Sequence, residues 1–382
     1  MTPGFSRRLK YLEEHNLLRS IKTVEKLDGT NAVINGKRCT LFCTNDYLGL
    51  SSHPAVKAAA ISAIGEFGFG SGSAPLISGN SIYHKKLAGD ISAFKGSESS
   101  ILFGSGYIAN TSIIPALAVH GDAIISDSLN HASIIDGCRL SRADVKVYGH
   151  CDMGSLAGCL EQSKKYERRL IITEGVFSMD GDIAPLPEII KLAEESAAIV
   201  LVDEAHATGT IGPSGRGTLE HFKIKSNRII QMGTLGKALG SFGAFVATSN
   251  EVVDWLINSA RGFIFSTALP PSTCASASAA LRVITEGPER LTSLRKNSDT
   301  LRSSLDNMGF KVLGSGTPII PVVIGGAEET LKLASYLMES GFYAPAIRPP
   351  TVPENECRIR LTASALHTNA DIEALMNIFR KA

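Results

Sequence analysis

The residue best suited to covalent chemistry in this chain is Lys237, set among glycines in GTLGKALG (residues 233–240), with Thr234 three positions earlier and the apolar run RIIQM just ahead. A solvated loop lysine needs no such setting. Burial among small apolar residues disfavours the ammonium form and leaves the neutral amine that attacks carbonyls. Upstream, IVLVDEAH (199–206) closes an apolar run with Asp203 and places His206 three residues later. DEAH is also the wording of a helicase Walker B element, but that reading requires a G-x-x-x-x-G-K-[ST] loop, which the sequence lacks. A third element, GSGYIAN (104–110), is a glycine turn opening onto a helical pattern, so the amides of Gly106 and Tyr107 can face an anion at a helix N-terminus. Taken singly, such a turn is more often just a loop and such an aspartate a helix cap.

Together the three supply what pyridoxal phosphate (PLP) requires of one scaffold: a lysine for a Schiff base, a carboxylate for the pyridinium nitrogen and a cup for the phosphate. Short apolar runs alternate with helix-period segments over residues 41–285, at SILF (100–103), AIIS (123–126), VKVY (145–148), LIIT (170–173), IVLVD (199–203), RIIQM (228–232) and GAFVA (243–247). That alternation predicts an α/β domain on a mainly parallel sheet with helices on both faces, such as LPEIIKLAEES (186–196). Ligands of open parallel sheets bind beyond the carboxyl ends of the strands, where the polar segments of this chain collect. Residues 1–40 read as a helical arm, with Phe5, Leu9, Leu12, Leu17 and Leu18 near helical spacing. Residues 286–382 read as a smaller α+β domain, with helices expected over 290–308, 327–340 and 369–381 around IIPVVI and RIRLT.

Bulk properties narrow the function classes. Lys and Arg (38) balance Asp and Glu (37), so no overall field draws the chain to nucleic acid or an acidic membrane surface. The seven cysteines are scattered and never spaced C-x-x-C, which argues against a disulfide framework or a zinc site and for a reducing compartment. The charged N-terminal stretch has no signal-peptide core, and nowhere do 18 apolar residues run together. The expectation is a cytoplasmic enzyme with no membrane, nucleic-acid or metal partner.

The motifs resemble the α-oxoamine synthases over nearly the whole length, through NDYLGLSSHP (45–54), ISGNSIYH (77–84), GSGYIAN, DSLNHASIIDG (127–137), TEGVFSMDGD (173–182), VDEAHATGTIGPSGRG (202–217), GTLGKALG, FSTALPP (265–271) and IRPPTVP (347–353). The resemblance implies the fold type I architecture of PLP-dependent transferases and a homodimer with its active site at the subunit interface. It implies that Lys237 carries PLP, that Asp203 pairs with the ring nitrogen, that His131 stacks on the ring, and that Ser178 and His206 bond its phenolic oxygen. Gly106, Tyr107 and Thr234 would hold the phosphate, with Thr267 contributed by the second subunit. Arg19, Asn45, His131, Thr351 and Arg360 would lie on the substrate side, Arg360 pairing with the amino acid carboxylate, and Arg348 is a candidate for the acyl substrate.

The implied reaction condenses L-alanine with a pimeloyl thioester, carried on coenzyme A or on an acyl carrier protein. GSGSAPLISG (70–79) departs from the common pattern, with Ala74 and Pro75 where many relatives have Ser or Thr followed by Arg. Glycine-specific members tend to carry Thr at the position of Ala74, so the smaller residue is consistent with alanine. The rival readings are a glycine and acetyl-CoA ligase of the same family and, in another class, a PLP-binding regulator without turnover; these 382 residues include no added basic DNA-binding domain.

Overall fold

The computed structural model describes residues 4–381 and divides into two compact units. One comprises residues up to 44, 179–181 and 293 onward; the other comprises 45–178 and 182–292. In the first unit the expected N-terminal helix covers only Phe5–Glu14. Leu17 and Leu18 lie beyond it, after Asn16 takes a φ of 56°. Three antiparallel strands follow, β1 (Val24–Asp28), β2 (Asn31–Ile34) and β3 (Lys37–Leu41). The β2–β3 turn is Asn35-Gly36 with φ of 49° and 75°, the left-handed pair that matches a two-residue hairpin to strand twist.

The second unit holds a seven-stranded sheet made of β4 (Ser99–Phe103), β5 (Ala123–Asp127), β6 (Asp144–Tyr148), β7 (Arg169–Glu174), β8 (Ile199–Asp203), β9 (Ile229–Thr234) and β10 (Ala244–Thr248). The strand order is β4-β10-β9-β8-β7-β5-β6. Every apolar run singled out in the sequence forms one of these strands. Only β10 is antiparallel to its neighbours, because it returns directly from β9 through the turn that carries Lys237.

Successive strand residues face opposite ways. Leu170, Ile172, Leu201 and Ile230 join one apolar cluster with Ile113 and Ile134 of the helices Gly106–Leu117 and Ala132–Ser141. Their neighbours Ile171, Val200, Val202 and Ile229 join another with Leu156 and Ile189 of Met153–Gln162 and Leu186–Glu195. Helices therefore cover both faces, and the six strands other than β10 end at one edge, where their polar loops collect.

A buried ion pair braces that edge. Lys95 Nζ lies 3.3 Å from Glu204 Oε2 with both side chains fully buried, and Glu204 also accepts the Thr218 amide at 3.0 Å and its hydroxyl. The glutamate beside Asp203 is thus turned away into the fold. Removing one partner strands a desolvated charge, so Lys95→Met is expected to cost about 3–5 kcal/mol of unfolding free energy in a denaturant titration. Replacing both residues with apolar ones should cost markedly less.

In the first unit β11 (Lys311–Val312), β12 (Ile319–Gly325), β14 (Ala346–Ile347) and β15 (Cys357–Thr362) form a sheet ordered β11-β12-β15-β14, and β13 (Phe342–Tyr343) pairs with β3. The expected C-terminal helices are found at Glu289–Asn307, Ala327–Glu339 and Asn369–Phe379. Among the described residues no helix is long and apolar enough to cross a membrane.

Candidate active site

Lys237 stands half-buried in the β9–β10 turn, between the fully buried Leu235 and the buried Ala238 and Leu239. Glycines fix that turn. At Gly240 φ is 58° and a Cβ would meet the Ser51 backbone nitrogen at 2.2 Å, while at Gly233 it would meet the Phe245 ring at 2.4 Å.

The lysine amine lies 2.8 Å from His206 Nε2. His206 Nδ1 in turn lies 2.7 Å from the hydroxyl of the fully buried Tyr47, which donates to Asn45 Oδ1 at 3.2 Å. Asn45, Tyr47, His206 and Lys237 thus form one continuous hydrogen-bonded chain that fixes the orientation of the imidazole beside the amine.

Asp203 closes β8, buried, with one carboxylate oxygen accepting from Asn110 Nδ2 at 2.9 Å and the other from the Ala205 amide at 2.9 Å. Burial pushes its carboxyl up from the usual range, and the charge of Lys237, the Asn110 amide and the His131 ring draw it back. It belongs to none of the ion pairs among the described residues. A desolvated carboxylate in that position is completed by a cation such as a protonated ring nitrogen.

His131 caps the helix Ala132–Ser141, its Nδ1 2.8 Å from Ser133 Oγ, which also accepts from Asn110 at 3.0 Å. His131 is exposed. The protein around its ring holds the imidazole below its ordinary pKa; Asp203 opposes that shift and Lys237 adds to it. The structure therefore brings His131, Asp203, His206 and Lys237 within electrostatic reach of one another.

Three residues that carry no assignment in the sequence reading belong to this network. Asn110 orients Asp203, and Tyr47 orients His206. Glu174, paired in register with Asp203 at the end of β7, is buried and accepts the backbone amides of His131 and Ser178. Burial and then the Asp203 charge push its carboxyl well above the usual range. The available signal was its place as the acidic residue ending an apolar strand, beside another such strand.

At the expected phosphate cup, Ser105 caps the helix Gly106–Leu117 by accepting from the Ile108 amide at 3.2 Å, and open space surrounds the Gly106 Cα. The exposed Tyr107 hydroxyl bonds Asp136. Thr234 Oγ1 donates to the Gly243 carbonyl at 2.9 Å and accepts the Gly236 amide at 3.2 Å, so it braces the lysine turn as well. Exposed Thr267 and Gly104 line one cleft of about 270 Å³.

The remaining substrate-side residues belong to the other unit. Arg19 donates to the Pro349 carbonyl at 3.2 Å, Arg348 donates to the Asn16 carbonyl, and the Thr351 amide donates to the Arg348 carbonyl at 3.1 Å. Burial, and then the Arg19 charge, lower the Arg348 pKa. Arg360, buried in β15, lies near Cys43, whose thiol burial pushes up to about 12.

These residues fit PLP: an amine beside an oriented imidazole, a buried carboxylate awaiting a cation, and a glycine-flanked helix N-terminus. Comparison with known proteins agrees. The family model for aminotransferase class I and II matches residues 37–379. An 8-amino-7-oxononanoate synthase from Geobacter sulfurreducens is 47% identical, the match covering 98% of this chain and 96% of the relative. A serine palmitoyltransferase variant from S. paucimobilis, solved with PLP and myriocin bound, superposes with a TM-score of 0.93 at 32% identity, covering 99% of this chain and 96% of that one. The 8-amino-7-oxononanoate synthase from Francisella tularensis superposes at 0.77 with 30% identity, covering 90% and 97%. This chain therefore belongs to the aminotransferase class I and II family and, within it, to the PLP-dependent α-oxoamine synthases.

Proposed function

We propose that the chain joins L-alanine to a pimeloyl thioester, with loss of carbon dioxide and the free thiol, to form 8-amino-7-oxononanoate for biotin biosynthesis. Relatives of that name at 43–48% identity over nearly the full length support the activity. The observation that carries the choice of acyl group is the Arg19–Arg348 pair. Arg19 bonds the segment of Arg348 and Arg348 the segment of Arg19, and two guanidinium groups on adjoining segments suit the free carboxylate at the far end of a pimeloyl chain, which an acetyl group lacks.

Bound PLP supplies the sink for the electron pair left at the α-carbon of alanine. Lys237 holds the cofactor, then takes the α-proton and later returns one, with His206 Nε2 beside its amine to steady it. Asp203 keeps the ring nitrogen protonated, and His131 covers the ring face. Ser178 and His206 bond the phenolic oxygen. Gly106, Tyr107 and Thr234 hold the phosphate, with Thr267 entering from the second subunit of a homodimer. Arg360, assisted by Asn45, pairs with the alanine carboxylate until that group leaves as carbon dioxide. The new bond joins the α-carbon to the acyl carbon, and the C–S bond breaks to expel the thiol.

We assign the chemistry to the large domain over residues 41–285, and substrate selection to the arm and the C-terminal domain. The chain works in the cytoplasm, with acyl chains delivered by coenzyme A or a carrier protein.

The test offers alanine or glycine with pimeloyl, acetyl or succinyl thioesters to the PLP-loaded protein and follows release of free thiol. Alanine with the pimeloyl thioester is expected to give the highest kcat/KM. Faster thiol release from glycine with acetyl-CoA would replace this assignment with the ligase reading.

A further inference from the structure

A second cluster of reactive side chains lies on the loops after β5, β6 and β7 and takes no part in the chemistry above. Asp127 ends β5, His150 and Cys151 follow β6, and Asp182 follows β7. His150 Nδ1 lies 3.0 Å from Asp127 Oδ1, and its Nε2 lies 3.0 Å from Asp182 Oδ2. Cys151 Sγ is 3.7 Å from His150 Nε2 and 3.7 Å from Asp182 Oδ2.

We propose that His150 Nε2, Cys151 Sγ and a carboxylate oxygen of Asp182 bind a zinc-class divalent cation, with Asp127 orienting the imidazole from behind. Bonds of roughly 2.3 Å to sulfur and 2.0–2.1 Å to nitrogen and oxygen, at tetrahedral angles, put such ligands about 3.5 Å apart where sulfur is one of the pair and about 3.3 Å apart otherwise. The three measured edges depart from this by only a few tenths of an ångström. A histidine whose second nitrogen bonds a carboxylate is the usual metal-binding arrangement, because the carboxylate fixes the ring and raises its basicity.

Other observations agree. Asp182 Oδ1 is enclosed and has no hydrogen-bond partner. Cys151 takes a φ of 52°, with its amide anchored to Asp127 Oδ2 at 3.0 Å, a conformation a cysteine seldom adopts. His150 and Asp182 each remain about a quarter exposed, so an ion has an entry path. The mixed sulfur, nitrogen and oxygen set favours zinc over the all-oxygen preference of magnesium or calcium. Loading would displace the proton on Nε2 and the thiol proton, two protons out for one dication in. Cysteine spacing could not announce such a site, because its ligands come from two separate strand ends and only one is a cysteine.

The test uses the full-length, PLP-loaded protein, dialysed against Zn2+ or Mg2+, with alkylation of Cys151 by iodoacetamide followed by mass spectrometry. One zinc per chain is expected, with alkylation of Cys151 slowed by Zn2+ and not by Mg2+. Cys151→Ser should lose that zinc while keeping the cofactor absorbance of the parent, and Asp127→Asn should weaken binding about 10- to 100-fold. A Cys151 alkylation rate indifferent to Zn2+ would mean that the cluster is only an imidazolium held between two carboxylates, and would overturn the proposal. So would undiminished zinc binding by Cys151→Ser. Should either variant fail to fold, the alkylation rates of the unaltered protein decide the question.

Discussion

Lys237→Ala is expected to yield a folded protein that binds PLP without covalent attachment and does not turn over at a measurable rate. Two losses combine. The amine that holds the cofactor is gone, and so is the group that moves the α-proton, an assistance of typically about 10²- to 10⁴-fold by itself. The fold should survive, because the half-exposed lysine contacts His206 while the turn is held by the glycines on either side and by the Thr234 hydroxyl. Borohydride reduction followed by peptide mass mapping reads the attachment, and thiol release reads turnover. Cofactor still fixed by borohydride to this chain, together with normal turnover, would assign the chemistry to another lysine.

Asp203→Asn should keep the cofactor and lose the reaction. A carboxylate about 4 Å from the ring nitrogen is worth roughly 4 kcal/mol at an effective dielectric of 20, close to three pKa units on that nitrogen. The neutral amide leaves the ring unprotonated near neutral pH, so exchange of the alanine α-proton for deuterium is expected to fall about 10³-fold. The amide must also place its NH2 against either Asn110 Nδ2 or the Ala205 amide, both donors, at a cost to stability of about 1–3 kcal/mol. Undiminished exchange would remove Asp203 from the mechanism.

The seven strands of the central sheet were legible because each is a short apolar-rich run ended by a polar loop, buried on both faces in the middle of the sheet and largely exposed only at the edge strand β6. The same rule located Asp203, His206, Lys237 and the glycine turn, since chemistry at such a sheet gathers beyond the strand ends. The β1–β3 meander was not foreseen. The helical spacing runs only from Phe5 to Leu18, and in the polar stretch beyond it Asn35-Gly36 is a strong local hairpin signal that was read only as polar chain.

Tyr47, Asn110 and Glu174 escaped notice for another reason: each acts on a catalytic candidate far away in sequence, through a hydrogen bond that only the folded chain creates. Lys95 was hidden in the same way. It sits on a helix with ordinary solvent-facing chemistry around it and finds Glu204 only across the fold.

The turn bearing Lys237 is wedged against backbone at Gly240 and against an aromatic ring at Gly233. A methyl group at either position would force a shift, so Gly240→Ala or Gly233→Ala moves the base from which the lysine side chain extends. The amine stands four methylenes out from that base, and a displacement at the base is carried to the nitrogen that must meet the α-proton.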